Sequence, residues 1–73
     1  MANLHIDENG SRYWFEEDDL HRDNGPAVEF MDGSKIWYYK GEYHRDNGPA
    51  VEWNDGFKEW YKHGRLIKSE GVE

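Results

Sequence analysis

The sequence predicts an all-β fold: about three consecutive 23-residue β-hairpins forming one twisted antiparallel sheet. Three observations carry this. His-Arg-Asp-Asn-Gly-Pro-Ala-Val-Glu occupies residues 21–29 and recurs unchanged at residues 44–52. The same period relates Asn9-Gly10, Asp32-Gly33 and Asp55-Gly56, and again Trp14, Trp37 and Trp60. No segment has the apolar spacing of an amphipathic helix, whereas short runs rich in aromatic and β-branched residues lie between turn signals. A period of this length marks stacked copies of one supersecondary unit. The chain therefore reads as a single domain over residues 1–73, with a partial unit at 1–20, units at 21–43 and 44–66, and a cap at 67–73.

Within a unit, Asn24-Gly25-Pro26 is a turn signal, because Asn tolerates left-handed backbone, Gly adopts it freely and Pro fixes the next φ. Residues 27–31 read as a strand, and Asp32-Gly33 as the two-residue turn that closes a hairpin. Residues 34–39 read as the return strand, which Lys40-Gly41-Glu42 breaks. A two-residue turn sets Met31 opposite Ser34, Phe30 opposite Lys35, Glu29 opposite Ile36 and Val28 opposite Trp37. On that register Val28, Phe30, Trp37 and Tyr39 share one face, expected to be the buried one, with Trp14, Trp37 and Trp60 stacked unit on unit as a ladder. The opposite face carries Ala27, Glu29, Ile36 and Tyr38, with Phe57 and Tyr61 in the next copy. At the ends, Leu4 and Ile6 stand where later units have Ala and Glu, and residues 67–71 replace the His-Arg-Asp-Asn-Gly link. Modified terminal units are what a stacked sheet needs to blunt its edges.

Composition limits the chemistry. With 73 residues, a single core is marginal, and there is no cysteine to staple it or to bind metal through thiolates. Aromatic weight must stand in: four Trp, five Tyr and three Phe, against nine Leu, Ile and Val together. There is no leader-like or membrane-spanning run, so a cytoplasmic protein is expected. The net charge of −7 disfavours direct contact with nucleic acid or anionic membrane and favours a basic protein partner. The charge is uneven, since the first 20 residues hold six acids and one arginine.

The string Asp-Gly-x-x-x-Trp-Tyr-x-x-Gly-x-x-His-Arg-x-x-Gly-Pro-Ala at residues 32–50 resembles the variant branch of the MORN (membrane occupation and recognition nexus) repeats. The resemblance extends over roughly residues 9–66. It implies an aromatic-rich hairpin array that serves as a binding platform. Arrays with this link are similar to those of phage, bacterial and large-virus proteins, and a short free-standing one looks like a phage accessory protein acting in the bacterial cytoplasm. The family's lipid association is not carried over, because this chain lacks a dense basic patch.

Two constellations invite chemistry. His21-Arg22-Asp23-Asn24 and His44-Arg45-Asp46-Asn47 could offer metal ligands, but polar residues at a link between units more readily bond turn amides, with Arg pairing to a nearby acid. A hydrolytic role would need a nucleophile activated by a base, and the only candidates are Ser11, Ser34 and Ser69, since no Cys or Thr is present. The expectation is a non-enzymatic protein without metal or cofactor. The run Glu16, Glu17, Asp18 and Asp19 replaces a glycine-containing loop of the other units, so it is the natural place for specific contact with a basic surface. Surplus aromatics Tyr38, Tyr61 and Phe57 are candidates for the rest of that surface or for a homodimer seam. The leading functional reading is a phage-type inhibitor of a bacterial defence protein. The rival is an assembly protein that self-associates through sheet edges and aromatic faces.

Overall fold

The computed structural model describes residues 3–22 and 25–71. Among them the chain is all-β and without a helix. Its strands are β1 (Asn3–Ile6), β2 (Arg12–Glu16), β3 (Asp19–Leu20), β4 (Val28–Glu29), β5 (Lys35–Ile36), β6 (Tyr38–Tyr39), β7 (Glu42–Tyr43), β8 (Val51–Glu52), β9 (Lys58–Lys62) and β10 (Arg65–Glu70). One antiparallel sheet runs in the order β1-β2-β4-β5-β8-β9-β10, with β3 on β2, while β6 and β7 form a separate pair. The molecule is flattened, measuring 35 × 26 × 16 Å.

Two kinds of turn build the sheet. At residues 7–11, 30–34 and 53–57 the same two backbone bonds close a three-residue loop; in the second, the Phe30 amide donates to the Ser34 carbonyl (2.9 Å) and the Gly33 amide to the Phe30 carbonyl (3.0 Å). The last loop residue is left-handed glycine, at φ +86° in Gly10 and +95° in Gly33 and Gly56. This is a three-residue hairpin with a glycine bulge, not the two-residue turn expected at Asp32-Gly33. The Asp32 carboxylate accepts the Ser34 amide at 2.9 Å, which supports the longer loop. The two-residue turns occur instead where a strand break was expected: Lys40-Gly41 and His63-Gly64 have φ of +51°, +85°, +49° and +83°, and join Tyr39 to Glu42 and Lys62 to Arg65. Glu17-Asp18 occupies the corresponding place between Glu16 and Asp19.

One extra loop residue shifts the register by one and swaps every side chain of the return strand to the other face. Val28 lies opposite Ile36, and Glu29 opposite Lys35. The expected Val/Trp face is therefore corrected. The core is Val28, Ile36 and Val51, covered by Tyr13, Leu20, Phe30, Tyr38, Tyr43 and Tyr61. Ala27 and Ala50 are fully buried beside it, and small side chains there admit close approach of the neighbouring strand: the Trp14 and Trp37 amides donate to the Ala27 and Ala50 carbonyls.

Trp14, Trp37 and Trp60 fall on the opposite face with Glu29, Lys35 and Glu52, and they do not form the core ladder that was expected. Each lies beneath a cation: Arg22 over Trp14 and Arg45 over Trp37, both 3.8 Å from the ring centroid, and Lys68 over Trp60 at 4.8 Å. Each arginine is fixed by a backbone carbonyl and a carboxylate, Arg22 by Pro26 and Glu29, Arg45 by Pro49 and Glu52. Stacking and a charge-assisted bond together hold the link down on the sheet. At the C-terminal side, β10 folds back on β9 with a register shift between Leu66 and Lys68. Of the expected units and links, Met1, Ala2, Asp23, Asn24, Val72 and Glu73 lie outside the described residues.

Candidate functional site

The histidines of the links are committed to the backbone. His21, only 4% exposed, accepts the Lys40 amide on Nδ1 at 2.9 Å, and His44 accepts the His63 amide in the same way at 3.0 Å. Each imidazole thus ties its link to the two-residue turn of the following strands, as a polar link residue was expected to do. The rings also join into a line, His21–Tyr39 at 4.7 Å, Tyr39–His44 at 5.8 Å and His44–His63 at 4.1 Å. This line was not legible from the sequence, whose expected register puts Tyr39 on the buried face. Among the described residues no group of three His, Cys, Asp or Glu is arranged to hold a metal ion; Asp23 and Asn24 of the first link lie outside them.

The acidic run occupies the turn between β2 and β3. Glu16 ends β2 opposite Asp19, the first residue of β3, and Glu17 and Asp18 form the tip, with Glu17 at φ +58°. Glu17, Asp18 and Asp19 are exposed, while Glu16 is half-buried. Asp18 stands where the other two turns have left-handed Gly41 and Gly64, but only Glu17 of this turn has positive φ, so the tip can carry a carboxylate in place of glycine. The run borders a shallow depression of about 210 Å³ shared with His21 and Lys40.

The aromatic candidates lie elsewhere. Tyr38 and Tyr61 pack on the core, and Tyr38, Tyr43 and Tyr61 meet in sequence through one tilted and one edge-to-face contact, with centroids 5.0 and 4.8 Å apart. Burial, reinforced by the Tyr43 hydroxyl, pushes the Tyr38 phenol up to about 12. Phe57 closes the third loop, where its carbonyl accepts the Trp53 amide, and its ring lies against Gly71. Of the candidate residues, Glu17, Asp18 and Asp19 therefore form the contiguous exposed set, with half-buried Glu16 beside them. A broader groove of about 790 Å³ opens on the tryptophan face between Arg22, Lys35, Trp37, Arg45 and Glu52. Its two arginines are already paired with Glu29 and Glu52.

The outer strands complete the picture. β1 and β10 end the sheet, and every residue in both is exposed. Leu4, Ile6, Leu66 and Ile67, at 50–58% exposure, lie on them. No described helix is long and apolar enough to cross a membrane.

Fold and site together define a small antiparallel-sheet protein with three consecutive exposed acids, Glu17, Asp18 and Asp19, at one turn. No family model, curated protein or solved structure matches the chain.

Proposed function

We propose that the chain is a non-enzymatic protein-binding module, a variant-MORN-like array of about three repeated hairpin units that docks on a basic protein surface through residues 16–19. The observation that carries this is the turn tip itself: carboxylates stand exposed where the equivalent turns place Lys40-Gly41 and His63-Gly64. The recurrence of both turn types at the period of the sequence supports the array. The concentration of charge in the first 20 residues, six acids against one arginine, supports a basic partner. The concrete form of the reading is a phage-type inhibitor acting in the bacterial cytoplasm on a defence protein, such as a nuclease with a basic substrate channel.

Direct binding to bacterial nucleases with basic surfaces tests it, with Glu17→Gln, Asp18→Asn and Asp19→Asn combined as the probe. The combined variant weakens binding and flattens its salt dependence. A complex unaffected by both neutralisation and salt refutes the acidic turn as the docking element. The exposed aliphatics of β1 and β10 favour a second reading, self-assembly through sheet edges, with a closed homodimer as its simplest product. Light scattering across concentration reads that directly.

A further inference from the structure

We infer that the outer edge of β1 receives an extended segment of the partner protein, in which apolar residues alternate with Lys or Arg, as an added antiparallel strand. This rests on the binding role proposed above and names what the partner offers. The two edges of the sheet are not alike. β10 carries Arg65, Lys68 and Glu70 and a register shift, devices that discourage strand addition. β1 reads Asn3-Leu4-His5-Ile6, without Lys, Arg, acid, Pro or bulge, and pairs in unbroken register with β2.

The orientation of its backbone follows from the adjoining turn. The Asp7 amide donates to the Ser11 carbonyl at 3.0 Å. Because opposed pairs in an antiparallel ladder alternate between bonded and non-bonded, His5–Tyr13 and Asn3–Phe15 are the bonded pairs. The N–H and C=O groups of Leu4 and Ile6 then point away from β2, into the open edge. The Leu4 and Ile6 side chains, 50% and 54% exposed, share the face of their partners Trp14 and Arg12, so alternate apolar residues of an incoming strand would meet them there.

Charge selects the occupant. At one end the edge runs into Asp7 and Glu8; at the other, Asn3 pairs with Phe15, next to the acidic run at Glu16. A second copy would bring two such acidic ends together, which like-charge repulsion opposes. A strand carrying Lys or Arg is attracted at both ends.

The test uses the intact protein and a short dye-labelled peptide of alternating valine and lysine, read by fluorescence anisotropy at low and moderate salt. Leu4→Pro removes only an outward N–H, so it leaves the β1–β2 bonds intact while blocking the edge. Ile6→Lys blocks it by charge and guards against any local effect of proline. Both weaken peptide binding by about tenfold or more, as does N-methylation of alternate peptide residues on the bonding side, whereas Lys68→Val on the far edge changes nothing. If the edge variants bind like the parent while Glu17→Gln with Asp18→Asn abolishes binding, the edge assignment is overturned and the acidic turn stands. Failure of the parent protein to bind the peptide at low salt also overturns it. So does a concentration-dependent dimer that dissolves on Ile6→Lys, because β1 then belongs to a second copy.

Discussion

Replacing His21 and His44 by alanine separates two chemically identical links by their surroundings. His21 is 4% exposed, its Nδ1 takes the Lys40 amide at 2.9 Å, and its ring lies 4.7 Å from Tyr39. His21→Ala leaves that part-buried amide without its acceptor, at about 1–3 kcal/mol, and forfeits ring packing of about 1 kcal/mol. The expected loss is about 3 kcal/mol, or a fall in Tm of roughly 15 °C for a domain of this size. The equivalent bond from His63 to His44 is solvent-exposed, so water replaces the acceptor, and His44→Ala costs the ring contacts to Tyr39 and His63 alone, about 1 kcal/mol. His21→Asn supplies an oxygen at the same reach along the side chain as Nδ1 and recovers about half of the loss; His21→Gln does not. Urea unfolding followed by tryptophan fluorescence measures all four. Equal losses at the two positions, or an asparagine no better than alanine, would refute the role given to the Nδ1 acceptor.

Alkaline stability follows from Tyr38. Its folded value of about 12 lies above the ordinary 10, so the unfolded chain ionises first; stability is intact below pH 10 and declines as pH rises from there through about 12, as tyrosinate absorbance and unfolding midpoints together would show. Lys40→Asn places a residue tolerant of left-handed backbone at φ +51° and raises stability by about 0.5–1 kcal/mol in urea titration. Arg45→Ala uncovers Trp37 and leaves Glu52 without its guanidinium, with an expected loss of about 2 kcal/mol and a changed tryptophan emission. Lys68→Arg gives Trp60 the planar cation that Trp14 and Trp37 already have and stabilises by about 0.5 kcal/mol.

Strand-forming residues and turn positions were legible in the sequence, but loop length was not. Asp32-Gly33 suits a two-residue turn and the third position of a longer loop alike, and the choice rests on the Phe30–Ser34 pairing. With β4 and β5 only two residues long, side-chain alternation could not reveal the slip. Lys40-Gly41 reads as a strand break rather than as a two-residue turn because lysine carries no preference for positive φ. The arginine–tryptophan stacks had a visible signal in retrospect: Trp14 to Arg22, Trp37 to Arg45 and Trp60 to Lys68 have equal spacing. The acidic turn was legible as a departure from the repeat. The unguarded edge was not, since which strand ends the sheet depends on pairing rather than on composition.

Amide chemical shifts, recorded as the valine–lysine peptide is added to the isotope-labelled protein, test the whole account most directly. Perturbations concentrated at Leu4, Ile6 and residues 16–19, with the His44–Arg45 link and the His63-Gly64 turn unmoved, are the predicted result. Perturbations centred on Arg22, Trp37 and Arg45 in the tryptophan-face groove would contradict it.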